Sequence, residues 1–159
     1  MALLANPNVH LQLIGPGSSL VHKLHTQFPE CSHQVSTTGR VPAIDVGPYL
    51  QACDVLLQIY PDGAVAARGT LIAALASGVP VVTTAGDLTE PIFETCGGVV
   101  LADDDPTAIR RAVEDLLTDQ SLARRIGTAG RRLYNDYFDI AVTAARLQAL
   151  STKALRPKP

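Results

Sequence analysis

The apolar positions follow two periods. Short runs of apolar and β-branched residues stand between turn residues, and between those runs apolar residues recur three and four apart. Five runs read as strands: "HLQLIG" (His10–Gly15), "HQVSTTG" (His33–Gly39), "DVLLQIY" (Asp54–Tyr60), "PVVTT" (Pro80–Thr84) and "GVVLA" (Gly98–Ala102). The third is almost unbroken in its apolar character, which predicts burial on both faces. Between the strands, "SSLVHKLHTQF" predicts a helix with Leu20, Leu24 and Phe28 on one face and Ser18 or Ser19 as its cap. "VGPYLQAC" predicts a short helix, "RGTLIAALAS" an apolar helix stopped by Gly78, and "TEPIFETCG" another short one.

After Ala102 the period changes to that of helices alone. "DPTAIRRAVEDLLTD" places Asp105 at a capping position and Pro106 at the first helical position. Its Ile109, Val113, Leu116 and Leu117 predict one buried face. "SLARRIGTAGRRLYNDYF" carries Leu122, Ile126, Leu133 and Tyr137 on one side, and "DIAVTAARLQALSTKAL" predicts a last helix over 139–155. Residues 156–159, "RPKP", are expected to be disordered.

Strands alternating with helices through short connections predict an α/β fold, a three-layer doubly wound parallel sheet with C-terminal helices. Such sheets bind ligands outside the carboxyl ends of their strands. The loops after Ile14, Thr38, Tyr60 and Thr84 are therefore the places where a site is expected. The opening "ALLANPNVHLQLIG" reads as the end of a helix running into a strand, so a first strand is expected to precede it.

Composition narrows the classes. A chain of 159 residues suits one domain. Its formal net charge of −2 offers no electrostatic case for nucleic acid. Three cysteines, an odd count with no close pair, favour a reducing compartment, and the expected location is cytoplasmic. The N-terminus has no signal-peptide pattern, and no apolar run reaches the roughly 20 residues of a membrane span.

Four stretches carry candidate chemistry. "IGPGSS" (Ile14–Ser19) is a glycine turn entering a helix, which fits either a phosphate-facing turn or an ordinary capped one. "YPDGAVAARGT" (Tyr60–Thr70) sets Arg68 beside a helix start with no acid in its first turn. That arrangement fits an anion site, or a surface ion pair of Arg68 with a carboxylate. In "TTAGDLTEP" (Thr83–Pro91), Glu90 can accept hydrogen bonds from sugar hydroxyls or simply supply charge to a helix start. "ADDDP" (Ala102–Pro106) is read as a helix cap, since one acidic run supplies too few converging ligands for a metal. The four histidines show no metal spacing and no nucleophile motif.

In motif order, "LQLIGPG", "TTGRV", "ACDVLLQIYPDG", "RGTLIAALASGVPVVTT", "TEP" and "GGVVLADDDPTAIRRAVEDLLTD" resemble the C-terminal half of a GT-B glycosyltransferase of the retaining group 1, or family 4, type. The resemblance runs from about Leu11 to Tyr137. It implies a nucleotide-sugar-binding Rossmann-like domain over 1–138, a C-terminal helix over 139–155, and transfer of a hexose to an acceptor hydroxyl with retention. Gly15, Pro16 and Gly17 match the loop facing the donor diphosphate. Gly39, Arg40 and Val41 match the loop reading the nucleobase. Asp62 and Gly63 match the sugar end, Gly69 and Thr70 the helix start near the phosphates, and Thr89 and Glu90 the start of the next helix.

Arg68 and Glu90 are the catalytic candidates on this reading, and neither a metal nor another cofactor is expected. The expected partners are a nucleotide sugar and an acceptor-binding N-terminal domain or subunit, through which peripheral membrane contact is possible. The family's pair of glutamates is missing, and its second member falls at Ala73. Little transferase activity is therefore expected from this chain alone. A donor-side subunit, or a degenerate module that assembles with an acceptor-domain chain, is the alternative.

Overall fold

The computed structural model describes residues 2–154. A 3-10 turn, Ala2–Ala5, leads into β1 (Leu11–Leu13), α1 (Ser18–Gln27), a second 3-10 turn (Pro29–Gln34) and β2 (Val35–Thr37). Next come α2 (Ala43–Gln51), β3 (Leu56–Gln58), α3 (Gly69–Ser77), β4 (Val81–Thr84), α4 (Pro91–Thr95) and β5 (Val100–Ala102). Helices α5 (Pro106–Thr118) and α6 (Gln120–Leu133) follow. A π-helical turn, Tyr134–Phe138, then enters α7 (Ile140–Ala154). All five expected strands are present, each shorter than its apolar run.

Every strand pairing is parallel. Leu11 lies opposite Val35, Leu57 opposite Val82 and Thr83 opposite Leu101. The ladders fall into two pieces, β1–β2 and β3–β4–β5. The expected single sheet is thus divided between β1 and β3, the point where the chain stops building outward in one direction and starts in the other.

Packing explains the layers. On β4, Val81 and Val82 point to opposite faces, as consecutive strand residues must. Val81 joins a core with Leu50, Leu56, Leu71, Leu75 and Phe93, under α2 and α3. Val82 joins a second core with Ala102, Val113, Leu116 and Ile126, under α5 and α6. A third, smaller core gathers Leu4, Val21, Cys31 and Val35 beneath α1. The 3-10 turn ties these together, because Leu3 packs on the second core and Leu4 lies within the third.

Several expectations need correction. β3 is not buried on both faces: Leu57 is 39% exposed and Ile59 37%. The reason is that β3 has a strand neighbour on one side only. α1 turns Val21 inward and leaves Leu20 outside, and Phe28 lies beyond its end. Its cap position is Gly17, so Ser18 and Ser19 are inside the helix and cap nothing. Leu117 and Tyr137 face outward from their helices. The cap at Asp105 stands: one carboxylate oxygen accepts the N–H groups of Thr107 and Ala108, both at 2.9 Å. α7 falls within the helix expected over 139–155, and the tail 156–159 lies outside the described residues.

The tightest backbone approach joins α6 to the end of α3. A Cβ built on Gly127 would stand 2.2 Å from the carbonyl oxygen of Gly78. Gly127→Ala must push α6 off the sheet, and it should cost about 1–3 kcal/mol, the usual penalty for overpacking. Urea unfolding followed by circular dichroism should show a lower midpoint with an unchanged slope.

Candidate functional site

Two loop pairs form the rim at the carboxyl ends of the strands. The first pair follows β1 and β2. Gly15 has φ +117° and Gly39 φ +67°, both in the region that favours glycine, and the two bridge the loops. The Gly15 N–H donates to Thr38 Oγ1 at 2.9 Å, and the Thr37 hydroxyl donates to the Gly15 carbonyl at 2.8 Å. A side chain on either glycine would meet no atom within 4 Å. The backbone here is fixed from behind and open in front. α1 then begins at Ser18 with no side-chain cap and no acid in its first turn. Pro16 and Arg40 are exposed, and Val41 is half-buried.

The second pair follows β3 and β4, and hydrogen bonds stitch it together. Thr84 Oγ1 donates to the Tyr60 carbonyl at 2.6 Å and accepts the Tyr60 N–H at 2.9 Å. The Leu88 N–H donates to the Asp62 carbonyl and the Glu90 N–H to the Ala64 carbonyl, both at 2.9 Å. Glu90 Oε1 accepts the Ala66 N–H at 3.0 Å. Gly63 and Gly86 permit this closeness: a Cβ on Gly86 would stand 2.6 Å from the Asp62 carbonyl carbon. Thr89 Oγ1 accepts the Gly86 N–H at 2.9 Å, which closes the β4 loop on itself.

Upon this frame stands a cluster of four side chains. Arg68 Nη2 lies 2.5 Å from a carboxylate oxygen of Asp62. The Arg68 guanidinium also stacks over the Tyr60 ring, 4.8 Å from its centroid. The Tyr60 hydroxyl meets Thr70 Oγ1 at 2.6 Å and donates to Gln58 Oε1 at 2.9 Å. Arg68 Nε is buried and has no hydrogen-bond partner among the described residues. α3 starts here at Gly69, with Arg68 at its cap position, no capping side chain and no acid in its first turn. The half-charge of a helix N-terminus and a guanidinium therefore share one place, and one carboxylate occupies it.

The structure brings Asp62, Gly63, Arg68, Gly69, Thr70, Thr89 and Glu90 into one cluster. Gly15, Pro16, Gly17, Arg40 and Val41 form another. No hydrogen bond or ion pair among the described residues joins the two. Sequence reasoning missed Tyr60, Gln58 and Thr84. The signal available was position, since all three stand at or just beyond the carboxyl ends of β3 and β4.

Other chemistry is sparse. Among the described residues no group of three or more His, Cys, Asp or Glu could hold a metal. Burial, and then the nearby Asp54, push the Cys53 thiol up, which disfavours the thiolate. No described helix is long and apolar enough to cross a membrane.

Fold and rim together define a parallel α/β domain that presents two uncapped helix starts at one edge. Residues 1–119 match the family model described as "Glycosyl transferases group 1", and the chain belongs to that family. A comparison with curated proteins returned no match. Among solved structures, sucrose-phosphate synthase from Thermosynechococcus elongatus superposes with a TM-score of 0.76 at 20% identity, over 96% of this chain and 40% of that one. HepE from Anabaena, solved in complex with UDP, gives 0.73 at 20% identity, over 95% and 43%. WaaG, described as a glycosyltransferase involved in lipopolysaccharide biosynthesis, gives 0.68 at 18% identity, over 92% and 41%. The fold is that of the Rossmann-like half of a GT-B glycosyltransferase, and the chain spans about two-fifths of these relatives.

Glu90 holds the loop after β3 in place whatever else it does. Glu90→Ala should lower stability by about 1 kcal/mol through the lost acceptor for Ala66, without any ligand present. Chemical denaturation of the variant against the parent protein measures this.

Proposed function

We propose that the domain binds the nucleoside diphosphate of a nucleotide sugar across this rim, as the donor half of a retaining hexosyltransferase. The observation that carries the reading is the pair of uncapped, acid-free helix starts at α1 and α3, with Arg68 beside the second. Backbone N–H groups at such starts favour phosphate oxygens. The open glycine backbone at Gly15 and Gly39 allows close approach of a ligand. Solved complexes of HepE with UDP and with UDP-glucose support a uridine nucleotide as the first donor to try.

On this reading Arg68 and the N–H groups of Gly69 and Thr70 neutralise charge on the leaving diphosphate. Gly15, Pro16 and Gly17 face the same diphosphate from α1. Arg40 and Val41 border the base. Asp62, Gly63, Thr89 and Glu90 lie at the sugar end. No metal is required, since the guanidinium and the helix starts supply the positive charge. The acceptor hydroxyl is supplied by another domain or subunit, so the chain alone transfers little sugar. A cytoplasmic location fits a nucleotide-sugar donor.

A second reading has its own support. Ala73 offers no carboxylate for ribose, and the Glu90 carboxylate already serves the Ala66 N–H. Both features suit a module that assembles with an acceptor-side chain and binds no donor.

Isothermal titration calorimetry with UDP and UDP-glucose separates the two. The donor reading expects binding, weakened about tenfold or more by Arg68→Ala, as for a lost charge-assisted contact. Asp62 competes with the diphosphate for Arg68, so Asp62→Asn should tighten UDP binding about two- to five-fold, the worth of a half-exposed ion pair. The gain should be smaller for UDP-glucose, where Asp62 also meets the sugar. Heatless titrations with both nucleotides would sink the donor reading and leave the module.

A further inference from the structure

Two strand edges in this fold are open. Among the described residues β1 is hydrogen-bonded only to β2, and β3 only to β4. Both open strands are apolar, yet both are exposed. Leu11 on β1 is 37% exposed, and Leu57 and Ile59 on and beside β3 are 39% and 37% exposed. β4, which has a strand on each side, shows the contrast: Val81, Val82, Thr83 and Thr84 are all 0% exposed. Uncharged, apolar edges of this kind are what folded proteins ordinarily cover or blunt.

The two edges stand beside each other. Ile14, at the end of β1, packs against the core that contains Leu56 of β3. On the opposite face Leu3 packs with Val55 and Val82, while its neighbour Leu4 packs with Val21 and Val35. The 3-10 turn Ala2–Ala5 therefore reaches from the layer over β3–β5 to the layer over β1–β2. It contacts α5 on one side and the 3-10 turn Pro29–Gln34 on the other. The two pieces are aligned as parts of one doubly wound sheet.

We propose that β1 and β3 jointly form a docking slot for a single apolar β-strand, running parallel to both, carried by polypeptide that leads into the Ala2–Ala5 turn. Paired strands lie about 4.8 Å apart, so one strand fits between two edges held about twice that distance apart. A parallel strand needs a crossover to reach β1, and such crossovers are right-handed. The Ala2–Ala5 turn lies against α5, on the face where that crossover would arrive. The strand turns two ladders into one and covers Leu11, Leu57 and Ile59. Its carboxyl end reaches the rim between the Gly15 loop and the Asp62 loop. The proposal does not depend on donor binding, and its readout is independent of any nucleotide.

The test uses amide hydrogen exchange on the full chain. The probe is a peptide Lys-Val-Val-Ile-Val-Gly-Lys, supplied free or tethered ahead of Met1 through a flexible linker of about 15 residues. Amides of β1 and β3 should exchange about tenfold more slowly in the tethered protein, while β2 and β5 stay unchanged. Replacing the central isoleucine of the peptide by proline should remove that protection, since proline lacks the N–H a central strand needs. Leu57→Lys should also remove it, and circular dichroism should show that this exposed substitution leaves the fold intact. Protection of neither strand, of only one, or of β2 and β5 equally would overturn the slot. Protection by the free peptide but not by the tethered one would overturn the assignment of its source. A dimer by size-exclusion chromatography, with β1 and β3 already protected, would hand the slot to a second copy and overturn the proposal.

Discussion

The burial of β4 is the constraint on which the rest depends. It alone has a parallel neighbour on both sides, and its four residues lose all contact with water. Alternation sends Val81 into one core and Val82 into the other, so a single strand fixes the spacing of both helical layers. Its last residue then carries that rigidity to the rim. The Thr84 hydroxyl both donates to and accepts from the backbone of Tyr60, which pins the end of β3 to the end of β4. Everything in the second cluster hangs from that pin. The turn at Asp62, the half-turn through Ala66 and the start of α3 are held by backbone groups facing Leu88 and Glu90.

A rigid frame makes sense of a weak interaction built on it. The Arg68–Asp62 pair is partly exposed, with side chains at 35% and 48% of full accessibility. Such pairs contribute roughly 0–1 kcal/mol, because water and salt screen them. The stacking of Arg68 on Tyr60 keeps the guanidinium in place when its anion changes, so the arginine need not be refolded to exchange partners. A carboxylate at the start of α3 satisfies the dipole in the same way an external phosphate oxygen would. The pair is thus a cheap internal occupant of a preorganised seat.

The sequence was legible where local rules decide. The order of strands and helices followed from the change of period. The cap at Asp105 followed from Asp-Pro at a helix start, and the contacts to Thr107 and Ala108 bear it out. The rim loops followed from the topology of parallel sheets. Legibility failed where the deciding partner lies across space. Arg68 read equally as an anion binder or a surface ion-pair former, and the chosen partner, Asp62, is six positions away on the far side of a glycine turn. Glu90 had two readings and adopted neither: its carboxylate reaches 24 positions back to the Ala66 N–H. Tyr60, Gln58 and Thr84 carried no motif at all, since only the β3–β4 register brings them together.

β3 is the most instructive miss, because the reading of its sequence was sound and its surroundings were not as assumed. "DVLLQIY" has the composition of a central strand, and its exposure is that of an edge. β1 shows the same mismatch at Leu11. Side-chain composition reports the environment a strand is suited to, while accessibility reports the neighbours it has. Where the two disagree on two adjacent strands of one fold, a shared neighbour resolves both at once. The same neighbour would close the crevice between the glycine turn and the arginine seat, the two clusters that no described contact now joins. The division of the sheet and the division of the site thus have one geometric origin: both lie at the point where a doubly wound chain reverses direction.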